Sequence, residues 1–146
     1  MSSNDYHATI SAKTSARDAM SKIGRVSEWW AKDFQGRSRK EGDNFTVRFG
    51  QTFVDFRIDH IVPDKKAVWE VVDCNLDWIK DKKEWKGTRI VWEIASKDGV
   101  VEVGMTHVGL VPGAECYNDC RVGWDGYIQK SLFKFMTEGE GLPDKF

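Results

Sequence analysis

The stretch FTVRFGQTFVDFRI, residues 45–58, decides the fold that the sequence predicts. Apolar side chains alternate with polar ones in residues 45–49, and the alternation resumes in residues 54–58, after Gly50. A period of two is typical of a strand with one buried face. Two such runs on either side of a short turn predict an antiparallel hairpin. We therefore expect this stretch to lie within an antiparallel sheet.

The same alternation appears on both sides of that hairpin. Further strands are predicted for residues 6–13, 67–74, 90–94 and 101–107, and a short one within residues 33–40. Asp98-Gly99 is a strong turn signal between the last two strands of this meander. A sheet of this kind has one apolar face, which another element must cover.

The segment after Pro112-Gly113 supplies that cover. Its apolar positions recur every three or four residues, which predicts one helix of about 24 residues. The predicted buried stripe comprises Cys116, Cys120, Trp124, Ile128, Leu132, Phe135 and Met136. Gly123 and Gly126 lie inside this helix at a cost of about 1 kcal/mol each relative to Ala, which indicates close packing around Trp124. Residues 16–24 and 26–32 predict two shorter helices.

Composition limits the class of protein. The chain has 22 basic and 23 acidic residues, a formal net charge of -1 and a sequence pI near 6.3. This balance argues against nucleic-acid binding through a basic face. No apolar run approaches the roughly 18 residues that cross a bilayer, and the polar N-terminus is not typical of a signal peptide. We expect one domain over residues 1–146, with an ordered core over residues 6–141, in the cytoplasm and without membrane insertion.

The three cysteines, Cys74, Cys116 and Cys120, are odd in number. Without an export signal, this predicts reduced thiols and no disulfide. Cys116 and Cys120 lie one helical turn apart, so a metal pair completed by His107 is an alternative. We expect instead that they fill a helix face as small apolar side chains. The sequence therefore predicts neither a metal site nor a cofactor.

Several short motifs resemble one family. Thr106-His107-Val108-Gly109-Leu110 at a strand end is followed by Gly123-Trp124 and Ser131-Leu132 on the long helix, and Glu28-Trp29-Trp30 follows the first helix. This pattern resembles the heat-shock protein 90 ATPase activator homologue group of the START-like, or SRPBCC, superfamily. The resemblance covers about residues 6–141.

The resemblance implies an α+β helix-grip fold like that of START domains and the birch-pollen allergen. Such a fold has a curved antiparallel sheet of six or seven strands, two short helices after the first strand, and a long C-terminal helix on the sheet. Members of the superfamily bind lipids, sterols, hormones or polyketides, and a few are cyclases. The co-chaperone activity belongs to eukaryotic members with an additional N-terminal domain, which these 146 residues do not include.

The residues favour binding over catalysis. No nucleophile elbow, phosphate-binding loop, zinc-protease motif or dinucleotide fingerprint is present. His107 shares a strand face with Val103 and Met105, so we expect it to point inward. A buried neutral histidine can act as a general base, but it is more often a structural residue, here tying the last strand to the long helix. We expect no enzyme; the alternative is a cyclase-like enzyme that uses His107.

The expected site is a cavity between the sheet and the long helix that takes a small hydrophobic or amphipathic ligand. Its predicted lining comprises Phe45, Phe56, Ile58, Trp69, Val71, Trp92, Val103, Met105, His107, Cys120, Trp124, Tyr127, Ile128 and Leu132. The opposing interpretation is that these side chains fill the interior completely. The long connection over residues 75–87 is predicted as a lid that uses Leu76, Trp78 and Trp85. Its alternative is an amphipathic turn packed outside the sheet.

The runner-up function is a protein-interaction module, with a chaperone or a second copy of the chain as partner. Such a module needs an exposed apolar patch. Trp78 and Trp85 supply candidate contacts. The lysines around them could attract an acidic partner or merely solvate the connection; they are Lys80, Lys82, Lys83 and Lys86.

Overall fold

The structure, a computed structural model, describes residues 4–146 and contains one antiparallel sheet. Its seven strands are β1 (Tyr6–Ala12), β2 (Asp33–Gly36), β3 (Asn44–Phe49), β4 (Thr52–Val62), β5 (Lys66–Asn75), β6 (Arg89–Lys97) and β7 (Val100–Val108). The order in the sheet is β1-β7-β6-β5-β4-β3-β2. Strands β2 to β7 form a continuous meander, and β1 pairs with the last strand of that meander.

Four α-helical segments accompany the sheet. Helices α1 (Ala16–Gly24) and α2 (Val26–Trp29) follow β1, and Ser15 caps α1 by accepting the backbone N–H of Asp18 at 3.0 Å. The C-terminal helix comprises α3 (Tyr117–Gly126), a π-helical segment (Tyr127–Leu132) and α4 (Phe133–Glu138). Helix α2 ends at Trp29, three residues before the predicted end at residue 32, and β2 begins at Asp33.

The π-helical segment differs from the uninterrupted α-helix that the sequence predicts. The buried stripe repeats every four residues from Cys116 to Leu132. Four residues of an α-helix turn through about 400°, so a strict repeat of four drifts around the helix. The wider π turn rotates less per residue and brings Ile128 and Leu132 back to the sheet. All seven members of the predicted stripe are buried.

The sheet is curved around this helix. The β4–β5 register shifts between Asp55 and Phe56 and again between Ile58 and His60. Such irregularities bend a strand and increase its twist. The concave face carries the alternating buried residues, as in β1, where every second residue from Tyr6 to Ala12 is buried.

Aromatic side chains fill the centre of the core. Trp69 lies 5.4 Å from Trp92 and 5.7 Å from Phe56 between ring centroids, and Trp29 of α2 meets Trp92 edge-on at 5.7 Å. All four side chains are at most 1% exposed. The α+β helix-grip architecture predicted from the sequence is confirmed, with seven strands. Within residues 4–146 no helix is long and apolar enough to cross a membrane.

Candidate functional site

A cavity of about 450 Å³ lies between the sheet and the C-terminal helix. It is at the end of the sheet where the β3–β4 hairpin, the β5–β6 connection (residues 76–88) and the C-terminal residues come together. Its lining comprises Trp30, Phe49, Thr52, Val54, Leu76, Trp78, Trp85, Asp119, Cys120, Gly123, Trp124, Tyr127, Asp144 and Phe146. The volume is within the range of small-molecule sites, about 300–1,000 Å³.

The walls of this cavity are mainly aromatic. Trp124 on α3 stacks on Trp85 with ring centroids 6.0 Å apart and also packs on Trp30, at 4.8 Å. Tyr127 contacts Phe49 at 6.1 Å and Phe146 edge-on at 5.5 Å. Because these rings contact one another across five separate chain segments, they form a pre-assembled apolar surface.

The β5–β6 connection is fastened to the start of α3. The carboxylate of Glu84 accepts the backbone N–H groups of Glu115 and Cys116, at 2.7 and 3.0 Å. In return, the carboxylate of Glu115 accepts the N–H groups of Lys80 and Asp81, at 2.8 and 3.0 Å. Backbone donors lower the pKa of Glu115, which keeps this carboxylate ionised. The connection is thus held against the helix by four charge-assisted hydrogen bonds.

Glycines on the C-terminal helix leave room around the cavity. Gly123 lines it, and a Cβ built there would have no neighbour within 4 Å. A Cβ on Gly126 would instead meet the ring of Phe146, so that glycine allows the ring to pack on the helix. The predicted close packing therefore applies to Gly126, whereas Gly123 faces open space.

Few polar groups reach the cavity. Asp119 accepts the indole N–H of Trp78 at 3.1 Å, and Asp144 accepts the backbone N–H of Lys32 at 3.3 Å. The hydroxyl of Tyr127 accepts the N–H of Phe146 at 3.1 Å. Burial raises the pKa of Tyr127, so its hydroxyl stays protonated and remains a donor.

The predicted site residues divide between this cavity and the packed core. Those that line the cavity are Cys120, Trp124, Tyr127, Leu76, Trp78 and Trp85. Those that pack in the core away from it are Phe45, Phe56, Ile58, Trp69, Val71, Trp92, Val103, Met105, His107, Ile128 and Leu132. The second group does not line the cavity because the large aromatic rings already fill the centre of the sheet. Whether the first group binds a ligand stays a prediction.

The predicted lid residues occupy different environments. Leu76 and Trp85 are buried, whereas Trp78 is 49% exposed. All three face the cavity from the β5–β6 connection. This placement combines the two alternatives drawn from the sequence, because the connection packs against the fold and also walls the cavity. Its movement as a lid stays a prediction.

His107 lies behind the cavity wall. It is fully buried, Nδ1 accepts the indole N–H of Trp124 at 3.1 Å, and Nε2 lies 2.9 Å from the hydroxyl of Thr88. Burial lowers the pKa of His107 to about 3. Both ring nitrogens are engaged by the protein, so the side chain ties β7 to the long helix, the structural role that the sequence favours.

The cysteines correct one expectation. Cys116 and Cys120 form a disulfide across the first turn of α3, whereas Cys74 is free and buried. The expectation of three reduced thiols is therefore wrong. The i,i+4 spacing on a helix brings the two side chains to one face, and that proximity permits the bond as well as the metal pair considered from the sequence. Among the described residues, no cluster of three or more metal-ligating side chains occurs.

Several lining residues were not predicted. Thr52 and Val54 lie near the start of β4, and Trp30, Asp119, Asp144 and Phe146 come from three other segments. The one sequence signal for their location is Gly123 on the long helix. A glycine within an amphipathic helix lowers its stability, so its presence indicates either open space or a close approach beside it.

A second depression, of about 650 Å³, lies beside α2. Exposed charged side chains dominate its rim, among them Arg25, Arg37, Arg39 and Lys40. Arg25 pairs with Glu28 of the same rim at 3.2 Å. The apolar side chains of its lining are Val26 and Phe34, so it lacks the cluster of aromatic rings that walls the first cavity, and the aromatic cavity is the candidate functional site.

Comparisons with known proteins support the fold. The sequence matches no protein-family model, and no curated protein is significantly similar to it. The structure of the Aha1 dimer from Colwellia psychrerythraea superposes with a TM-score of 0.76 at 20% identity, covering 94% of this chain and 98% of that chain. SSP2350 from Staphylococcus saprophyticus gives 0.70 at 10% identity, covering 94% and 95%.

A third similar structure is DynU16, a protein in the dynemicin biosynthetic locus. Its TM-score is 0.68 at 14% identity, and the match covers 96% of this chain and 49% of that chain. This chain therefore spans about half the length of DynU16. At these identities the likeness shows the fold alone. The START-like helix-grip fold is confirmed, and an Aha1 protein is among its structural relatives.

Proposed function

We propose that this protein binds a small hydrophobic or amphipathic molecule in the aromatic cavity. One observation carries the proposal: an open cavity of about 450 Å³, lined mainly by aromatic rings, lies beside an otherwise packed core. Concave sites of about 300–1,000 Å³ with mainly apolar walls and a few polar groups are typical of small-molecule binding. A space of this size with apolar walls therefore favours occupation by a ligand.

The expected affinity is moderate. A ligand that buries about 300 Å² of apolar surface gains about 7 kcal/mol at about 25 cal/mol per Å². Association and ordering of the ligand oppose that gain. We therefore expect dissociation constants in the micromolar range or weaker for simple apolar probes.

The test uses the neutral fluorescent probe N-phenyl-1-naphthylamine, whose emission rises in apolar surroundings. Titration should give saturable binding to one site, with quenching of tryptophan emission because Trp78, Trp85 and Trp124 line the cavity. Gly123→Leu places a side chain in the open space and should abolish binding. Asn118→Leu, on the exposed part of the same helix, is the matched control. Equal binding by wild type and Gly123→Leu would place the probe elsewhere and overturn the proposal.

Catalysis is not part of this proposal. His107, the residue of the cyclase alternative, has both ring nitrogens bonded to protein groups and does not line the cavity. A general base needs a free nitrogen within reach of the substrate proton.

A second candidate function is a protein contact at the mouth of the cavity. Trp78 and Phe146 are 49% and 44% exposed there, and a structural relative is a dimer. Exposed aromatic rings are typical anchors of interfaces. If the chain self-associates through this surface, sedimentation velocity should show a dimer that Trp78→Ala weakens at least tenfold. A monomer at all concentrations would exclude the homodimer.

A further inference from the structure

The charged groups that line the aromatic cavity have a single sign. Asp119 and Asp144 are the charged residues of its lining, and no Lys or Arg belongs to it among the described residues. Neither carboxylate forms an ion pair within the described part of the chain. Each accepts one neutral N–H donor, from Trp78 or from the backbone of Lys32. Within residues 4–146, no Lys or Arg nitrogen therefore lies within ion-pair distance of either carboxylate.

Three lysines near the cavity have contacts outside its lining. Lys82 donates its ammonium to the carbonyl oxygens of Asp77 and Ile79, at 2.7 and 3.2 Å. The ammonium of Lys83 pairs with Asp73 at 2.9 Å. Lys130 lies 5.6 Å from the ring centroid of Phe146, where it forms a cation–π contact but does not line the cavity. The lysine-rich connection thus leaves the interior of the site without a positive charge.

The aromatic rings of the lining also favour a positively charged ligand. Four of the seven tryptophans line the cavity, together with Tyr127, Phe49 and Phe146. The face of an aromatic ring is electronegative and attracts ammonium groups, most strongly when the ring is an indole. The protein itself shows this attraction at Phe146, whose ring already holds the ammonium of Lys130. Indoles beside carboxylates are the surroundings that recognise alkylammonium ions.

Building on the proposed function, we infer that the cavity selects amphipathic ligands with a positively charged head, such as alkylammonium or quaternary ammonium compounds. The apolar body lies among Trp30, Trp85 and Trp124, and the cationic head lies beside Asp119 or Asp144, the two carboxylates of the lining. An anionic head would be repelled by either carboxylate, and a neutral head would gain from neither charge.

The test compares three ligands of equal chain length as competitors of bound N-phenyl-1-naphthylamine: decyltrimethylammonium, 1-decanol and decanoate, each below its critical micelle concentration. We expect the cation to displace the probe at concentrations about tenfold lower than decanoate does. The preference should shrink in 0.5 M salt because both carboxylates are exposed to screening.

Variants that remove the negative charges test whether Asp119 and Asp144 cause the preference for the cation. Asp119→Asn with Asp144→Asn preserves an acceptor at each position and should reduce the ratio between the decanoate and decyltrimethylammonium concentrations that displace the probe severalfold. Asp98→Asn makes the same change in charge at the β6–β7 turn, where Asn tolerates the positive φ of 54°, and should leave the preference intact. If all three ligands displace the probe at equal concentrations, the inference is overturned while the proposed function stands. Absence of probe binding would overturn both.

Discussion

Trp124 donates its indole N–H to Nδ1 of His107, and both rings are buried. An indole nitrogen can only donate, so Nδ1 is the unprotonated nitrogen of a neutral imidazole. The proton of His107 therefore lies on Nε2 and is donated to the hydroxyl of Thr88, which itself donates to the carbonyl of Trp85 at 2.6 Å. One chain of hydrogen bonds joins the long helix, β7 and the β5–β6 connection.

Substitutions of His107 should reveal this chain as a stabilising element. We expect His107→Ala to lower the free energy of unfolding by about 2–5 kcal/mol, since it leaves a void and an unpaired indole N–H on Trp124. His107→Asn can still accept the N–H of Trp124 and should cost less. Urea denaturation measures both. If His107→Ala unfolds at the wild-type midpoint, the hydrogen bonds contribute nothing to stability.

The depressed pKa of His107 predicts a specific dependence of stability on pH. Its value is about 3 in the folded protein, against about 6.5 for an unperturbed histidine. Between these two pKa values the unfolded chain binds a proton at His107 and the folded protein does not. The stability that the neutral His107 provides is therefore fully present above pH 6.5. Below that pH the free energy of unfolding decreases by about 1.4 kcal/mol per pH unit.

This dependence can be separated from that of other groups. Urea denaturation of wild type and His107→Asn at pH 7.5, 6.5, 5.5 and 4.5 gives two curves, and their difference removes the contributions that the two proteins share. We expect the wild type to lose stability more steeply below pH 6.5 than the variant. If the free energies of unfolding of the two proteins decrease equally with pH, His107 becomes protonated in the folded protein, which would contradict the prediction.

The strands and the helical stripe were predictable because they follow from burial periodicity alone. The alternation around Gly50 and the repeat from Cys116 to Leu132 each need one face of an element to be apolar, whatever the exact packing. The inward direction of His107 followed in the same way from its register with Met105. These features depend on local geometry that a single sequence contains.

The position of the cavity depends on packing that periodicity does not describe. Val103 and Trp124 are both buried apolar residues, yet only Trp124 borders empty space. The difference arises because Trp29, Trp69 and Trp92 together fill the centre of the sheet and leave the end near Trp78 open. Residues such as Asp144 and Phe146 reach the site through the tertiary path of the chain, which no local pattern records.

Thiol chemistry gives a prediction that corrects the expectation from the sequence. Denatured protein prepared without reductant should show one reactive thiol, Cys74, and three after reduction. The disulfide closes a short loop, so its reduction should lower the free energy of unfolding by about 2 kcal/mol or less. Titration with a thiol reagent and parallel urea curves test both statements. Three thiols before reduction would contradict the disulfide.

Ser131 is predicted to fix the segment that follows the long helix. Its hydroxyl donates to the carbonyl of Trp29 at 2.6 Å and accepts the N–H of Leu142 at 2.7 Å, and the residue is fully buried. Ser131→Ala leaves both backbone groups unpaired and should cost about 1–3 kcal/mol. Ser27→Ala, at an exposed position of α2, should cost less than about 0.5 kcal/mol. Similar unfolding midpoints for the two variants would contradict this role.

Gly123 is predicted to make α3 less stable than an alanine at the same position would. It is in the interior of α3, where Gly is about 1 kcal/mol less favourable than Ala, and a Cβ there meets no other atom. Gly123→Ala should therefore raise the free energy of unfolding by about 0.5–1 kcal/mol. The same methyl group enters the cavity and should weaken binding of N-phenyl-1-naphthylamine.

The contrast with Gly126 makes this prediction specific. Gly126→Ala changes the same helix in the same way, but its methyl group collides with the ring of Phe146, so this variant should lose stability. Thermal unfolding and probe titration of the two variants give four measurements from one pair of substitutions. If Gly123→Ala is stabilised and binds the probe as tightly as wild type, the space beside Gly123 is not part of the binding site.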